Sequence, residues 1–262
     1  MKPRIFNVAR LSLPLATALA SLLAMPSIHA QSWSSSATSG AWLTTTNWTG
    51  GVAAGSSTDT ANTNIAVFNV NVQNTIGIAM SSTGGVYYLG AIDNTNNTAR
   101  TINNGSTTAG VLTLNGATVN SVANTIVRNT TGSLLTITNG SGAGTMGLGL
   151  GNATNNIIQI TGAGGITIPC IISGVGRNLT RQGTGAGVLI LAGANTYTGT
   201  TSVSAGAVNI QNATALGTVA SGTTVSAGAA LQIQNNITVG AEALSLSGEG
   251  VTGAVIPLFG TG

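Results

Sequence analysis

The sequence predicts an all-β chain coiled as a β-solenoid. Three observations predict it. Short Val, Ile, Leu and Thr runs alternate apolar with polar, at 111–114, 134–138, 157–160, 188–191, 208–210 and 231–233. Clusters of Gly, Asn, Ser and Thr break these runs, while the strong helix formers Glu and Lys are nearly absent. Strand phrases also recur. Val203-Ser204-Ala205-Gly206 returns as Val225-Ser226-Ala227-Gly228, an offset of 22. Each copy leads into an apolar strand, ending in Asn209-Ile210-Gln211-Asn212 and Gln232-Ile233-Gln234-Asn235. A Gly-Val-Leu-x-Leu-x-Gly phrase occupies 110–116 and again 187–193.

Periods near 20 residues built of very short strands belong to coils whose turns donate strands to parallel sheets. Ten such turns at about 4.8 Å give a rod of about 45–50 Å. A propeller calls for blades of about 40 residues with aromatic signatures, and none is visible. A sandwich has a more aromatic core. This chain has eight aromatic residues beyond residue 30, which suits a narrow aliphatic interior.

Residues 1–30 read as a secretory signal peptide. Lys2, Arg4 and Arg10 form a basic start, and 11–25 form an apolar stretch too short for a comfortable membrane span. Pro26 breaks that stretch, and Ala30 offers a cleavage site before Gln31. Residues 31–68 are expected to form an N-terminal segment carrying Trp33, Trp42 and Trp48. Residues 69–250 are expected to form the solenoid. Residues 251–262 contain nothing like a polar cap, so the C-terminal end is expected to be uncapped or truncated, a self-association edge.

Beyond the leader the chain has no lysine and no histidine. Arg100, Arg128, Arg177 and Arg181 balance Asp59, Asp93, Glu242 and Glu249. The net charge of +3 therefore belongs to the leader, and no basic patch remains for nucleic acid. Cys170 is the single cysteine, so no intrachain disulfide can form, and its apolar neighbours predict a buried small hydrophobe.

The same scarcity argues against catalysis. Parallel β-helices that cleave polysaccharides need clustered carboxylates, or a carboxylate-bound metal with a base. The four acids here are scattered. Asp93 and Arg100 are the nearest acid–base pair, but 93–97 reads as a turn with a solvated charge. Glu242 and Glu249, seven residues apart, read as surface charges. Arg177 and Arg181 flank a Gly-rich loop and make a weak anion site at most. Zinc would need Cys/His clusters and calcium rolls need repeated Asp, so no metal, cofactor or catalytic residue is assigned. The Gly-rich run 140–151 lacks a phosphate-loop lysine. The three tryptophans have two readings: a carbohydrate-stacking site, or a plug over the N-terminal end of the coil. Tyr87, Tyr88 and Tyr197 read as packing residues.

One stretch, 172–217, carries a longer phrase. Ile172-Ser173-Gly174-Val175-Gly176 is followed by Leu179-Thr180-Arg181-Gln182-Gly183. Then come Gly187, Leu189, Leu191, Gly193, Asn195, Tyr197 and Gly199 in fixed spacing, and Val203 with Gly206. This resembles the autotransporter-associated β-strand repeat, also called the passenger-associated transport repeat. Arg181 stands where that pattern usually has lysine, and Ala207 where it has threonine. The resemblance implies a right-handed parallel β-helix passenger, exported to the surface of a Gram-negative bacterium or released from it. The repeat would be structural and would assist folding and export. It implies the export machinery of both membranes as partner, and surface glycans or host receptors as targets of an adhesin or scaffold. No translocator barrel is recognisable in the sequence, so the chain is expected to be a passenger-type fragment. The alternative is a secreted carbohydrate-binding or polysaccharide-degrading β-helix.

Overall fold

β-Branched and aliphatic residues at every second position give strands with one apolar face, and a coil of parallel strands buries all of these faces in one interior. The computed structural model describes residues 30–34, 40–71, 75–78, 85–140, 144–248 and 250. The expected leader, apart from Ala30, lies outside the described residues, as do Glu249 and the C-terminal stretch 251–262.

β1 (Ala30–Ser32) lies beside β2 (Ile65–Phe68), and a short 3-10 turn, Thr45–Asn47, sits in the segment between them. β2, β3 (Thr75–Ile78) and β4 (Val86–Leu89) make the first three-sided coil. β5 (Ala91–Asn94), β6 (Arg100–Asn104) and β7 (Gly110–Leu114) make the second. β8 (Ala117–Val119) forms a hairpin with β9 (Val122–Asn129), and β9 opens the third coil with β10 (Leu135–Thr138) and β11 (Met146–Leu150). β12 (Asn156–Ile160), β13 (Ile166–Ile168) and β14 (Ile171–Ser173) make the fourth.

The later coils carry two strands each. These are β15 (Leu179–Gln182) with β16 (Val188–Leu191), β17 (Thr201–Val203) with β18 (Gly206–Ile210), and β19 (Thr223–Val225) with β20 (Ala229–Ile233). β21 (Leu244–Leu246) is the last described strand. The first sheet runs β1-β2-β5-β9-β12-β15-β17-β19-β21, the second β3-β6-β10-β13-β16-β18-β20, and the third β4-β7-β11-β14. Among the described strands every pairing is parallel except the β8–β9 hairpin. The chain is a parallel β-solenoid with no α-helix among the described residues. The eight intervals of the first sheet span about 38 Å, less than ten full turns would give.

The stacking order explains both the repeats and their limits. Ile65 pairs with Ala91, Ile92 with Val127 and Val127 with Ile158, so the early coils take 26, 35 and 31 residues. Asn156 then pairs with Leu179, Leu179 with Thr201, Thr201 with Thr223 and Thr223 with Leu244, in steps of 23, 22, 22 and 21. The coil shortens from β12 onward, one coil before the third sheet stops. The 22-residue recurrence of Val203 at Val225 is a true register pair. One strand later Gly206 pairs with Ala229, because the second copy carries one extra residue before Ile233. The two Gly-Val-Leu phrases are not register mates: the first forms β7 in the third sheet, the second β16 in the second sheet.

Aliphatic ladders fill the interior. Ile76 stacks on Ile102 and Ile102 on Ile137; Ile168 stacks on Leu191 and Leu191 on Ile210. All six are fully buried, and each such side chain contributes about 1.5–3 kcal/mol on leaving water. Outside the first sheet, the β8–β9 hairpin covers a small cluster of Ile65, Ala91, Ala117 and Val119. Asn120 and Ser121 at its tip both take positive φ, as a tight two-residue hairpin turn requires.

Candidate functional site

The distinctive phrase of the sequence falls where the solenoid changes from three sides to two. Gly187 leads into β16, in which Leu189 and Leu191 point inward and are buried. Gly193 follows, and a Cβ there would collide with the carbonyl of Cys170 in the coil below. The next strand of the third sheet is then missing, and Asn195 takes its place. Its side-chain oxygen accepts from the Ile172 backbone N–H at 2.8 Å, and its amide nitrogen donates to the Ala215 carbonyl at 2.6 Å. One buried amide thus links the coil below to the coil above. Backbone bonds from Thr196 to Ile172 and from Thr198 to Gly174 continue the contact with β14.

Tyr197 fills the interior left by the third sheet. It is fully buried, and its hydroxyl pairs with the Thr201 hydroxyl at 2.6 Å. Burial raises the Tyr197 phenol above its ordinary value. Gly199 packs against the Arg177 backbone, and the following Thr200 N–H donates to the Asn178 side chain at 2.9 Å.

Arg181 interrupts an otherwise aliphatic ladder. Its register mates are Ile158 below and Val203 above, yet it is 2% exposed. The guanidinium turns into the bend between β15 and β16 and donates to the carbonyls of Gln182, Gly183 and Gly187, the last two at 2.7 and 2.9 Å. A Gly-rich bend exposes carbonyls inward, and the cation ties them together. Burial pulls this guanidinium down to about 10. Gly206, at φ +69°, leaves room for it, because a Cβ there would strike the Arg181 terminal nitrogen. Arg181 is thus committed to backbone carbonyls, in keeping with Arg177 and Arg181 making a weak anion site at most.

The remaining charges are held separately. Asp93 pairs with Arg128 through two 2.8 Å bonds, and both side chains are largely buried. This corrects the expectation of a turn with a solvated charge, since Asp93 lies in β5 and is largely buried. Arg100 is 1% exposed, sits 4.9 Å over the Phe68 ring and donates to the Val70 carbonyl at 3.1 Å. Burial lowers it to about 10. Asp59 accepts from the Ala61 N–H at 3.1 Å in an exposed loop, and Glu242 accepts from the Thr223 hydroxyl at 2.8 Å. No group of three or more His, Cys, Asp or Glu side chains comes together among the described residues. Cys170 is buried beside the Ile137 carbonyl, and burial pushes its thiol up to about 12.

The three tryptophans meet below the first coil. Trp33 and Trp42 each stand edge-on to Trp48, with ring centroids 5.0 Å apart, and all three contact Phe68. Trp42 donates to the Ala54 carbonyl at 2.8 Å, and Trp48 to the Trp42 carbonyl at 2.6 Å. Their exposures are 0%, 0% and 2%, so no ring face is open for a sugar to stack upon. The same segment meets an edge of each sheet. β1 pairs with β2, Ala41 bridges Gly77 and Ser56 bridges Tyr88.

Surface concavities are also present among the described residues. One, of about 690 Å³, is lined by Asn155, Thr161, Thr180, Gln182, Thr184 and Ser202, with no aromatic residue. Another, of about 440 Å³, lies along the outer face of the third sheet, over Val86, Val111, Gly147 and Ile171. Sequence reasoning named the repeat residues but not their roles. Asn195, Tyr197 and Arg181 become intelligible once the end of the third sheet is seen.

No curated protein and no solved structure matches the chain. The passenger-associated-transport-repeat family model matches residues 184–210, from the Arg181-bound bend through β18. Residues 184–210 are thus similar to the passenger-associated transport repeat.

Proposed function

We propose that this chain is a non-catalytic structural passenger of an autotransporter-like exported protein, serving as a cell-surface adhesin or scaffold. The observation that carries the reading is the match at 184–210, lying within one continuous parallel solenoid. The repeat coil is tied to its neighbours by one buried amide and braced within its own bend by a buried guanidinium. Such a coil is suited to nucleating stacked turns as the chain emerges from the membrane, since each neighbour adds by lateral pairing. The rod presents Thr, Ser, Asn and Gln outward, and target binding rests on many weak contacts along one face.

Intact Gram-negative cells expressing the full chain are labelled with antibody against the solenoid, with and without outer-membrane permeabilisation. Surface signal on intact cells, with loss of attachment when the gene is removed, is the expected result. Signal that requires permeabilisation overturns the reading.

A further inference from the structure

The outer face of the first sheet carries an ordered polar pattern over β12, β15, β17 and β19. Ile158, Arg181, Val203 and Val225 form the buried column of these strands, so the residues on either side of them face outward. One outer column runs Thr180, Ser202, Thr224, each the register mate of the next. The other begins with Gln159 and its register mate Gln182. It continues through Ser204 and Ser226, whose N–H groups donate to the carbonyls of Arg181 and Val203 in the coil below. From β15 to β19 every coil therefore shows two hydroxyl or amide side chains side by side, at a spacing of about 4.8 Å along the rod. Neither column holds a charge or an aromatic ring. The nearest charges, Asp93 and Arg128, lie below Gln159 and neutralise each other.

The foot of this strip is hollowed. Thr180, Gln182, Ser202 and Ser204 line the concavity of about 690 Å³, and the Thr180 hydroxyl is fixed by Asn155 at 2.9 Å. Gln159 lies between the inward Ile158 and Ile160, so it leaves the sheet on the outer side, next to Gln182 and two residues from Thr161 of the same concavity. It is 7% exposed, and its Oε1 is buried without a hydrogen-bond partner. A buried acceptor with no donor is costly, and a hydroxyl entering as the half-buried Gln182 turns aside relieves that cost.

We infer that this strip binds a neutral, unbranched polysaccharide of the straight-ribbon type found in cellulose and chitin, laid lengthwise along the rod. The inference deepens the adhesin reading and rests on it for its place at the cell surface. Sugar hydroxyls both donate and accept, as the two columns do, and they supply the donor that Gln159 lacks. A strip without charge gives an acidic glycan nothing to pair with. Equatorial linkages keep a chain straight, with successive sugars advancing by about one coil each, whereas an axially linked chain curls off a straight face. With no ring to stack upon, each contact is weak, and affinity grows with the number of coils engaged.

The test titrates the full chain calorimetrically with cellobiose, cellotetraose, cellohexaose, chitotetraose and maltohexaose. Cellotetraose or chitotetraose should bind at least about tenfold more tightly than cellobiose, with little further gain at the hexaose, because the strip is four coils long. Maltohexaose should not bind, and salt should change little. Gln159→Leu keeps the size of the side chain and drops the acceptor. It should weaken binding about tenfold or more with an unchanged or raised melting temperature, whereas a purely structural glutamine would lower the melting temperature and spare binding. Ser204→Trp, at an exposed position, should block the strip, and it carries the test if Gln159→Leu fails to fold. Thr136→Trp, on the outer face of β10, should have no effect. Binding of neither tetraose overturns the inference, as does equal binding of maltohexaose or of cellobiose. Binding that survives Ser204→Trp but is lost in Thr136→Trp assigns the contact to the second sheet and is equally fatal. Sugar binding is read on the purified chain and surface display on cells, so the inference and the proposed function fail distinguishably.

Discussion

Asn195 carries more of the repeat coil than its size suggests, because its amide replaces a strand. Asn195→Ala leaves the Ile172 N–H and the Ala215 carbonyl unpaired in the interior, which should cost about 2–4 kcal/mol in urea unfolding. Arg181 and Gly206 form a second dependency. Gly206→Ala should destabilise the chain, by the strain of positive φ and by the clash with the guanidinium. Adding Arg181→Ala should remove the clash but not the strain, so the double variant should cost measurably less than the sum of the two single ones. Asp93→Ala strands the largely buried Arg128 and should cost about 1–3 kcal/mol while leaving the coil formed. Alkaline pH acts through burial. The Cys170 thiol and the Tyr87 phenol are both pushed up to about 12 from ordinary values of 9.0 and 10.0. In that window the folded chain holds protons that the unfolded chain has lost, so stability falls as pH rises. Each group contributes up to about 1.4 kcal/mol per pH unit. Thermal melts from pH 8 to 11 should show the melting temperature dropping above pH 9, less steeply in Tyr87→Phe.

Individual strands were the most legible part of the sequence. The runs at 111–114, 157–160, 188–191, 208–210 and 231–233 all lie within strands, because short alternating patterns bounded by Gly and Asn leave few other conformations. The run at 134–138 begins one residue before β10. Pairing was legible only where the coil length is constant. Val203 meets Val225 at the expected offset, whereas the Gly-Val-Leu phrases belong to different sheets. The Asp93–Arg128 pair joins residues 35 apart across a coil lengthened by a hairpin, and no periodicity announces it. The burial of Arg100 and Arg181 is not legible in the sequence, because charge gives no sign of it. Their burial follows from an aromatic ring in one case and inward carbonyls in the other. The inward face of β16 can be tested directly. Leu189→Ala should cost about 2–5 kcal/mol, since its neighbours are held by stacked strands and close poorly over a cavity. Ile190→Ala, on the outer face of the same strand, should cost well under half of that.

The whole molecule is a one-dimensional stack, so its stability should vary along the axis rather than between core and surface. The coils from β12 to β18 have neighbours on both sides, short connections and interior residues at 0–3% exposure, such as Ile158, Leu191, Val203 and Ile210. The Arg181 and Asn195 bonds add cross-links in that same region. β20 and β21 have a neighbour on one side, and β21 is exposed along its whole length. The N-terminal end also has a single neighbour, but four packed aromatic rings cover it. Amide exchange should therefore be slowest in β12–β18, intermediate in β2–β5 and fastest in β20–β21. Local opening at the C-terminal coil should need only a fraction of the global unfolding energy. Uniform exchange along the rod would mean that the repeat coil is no more rigid than its neighbours. The buried cross-links at Asn195 and Arg181 would then contribute shape rather than stability.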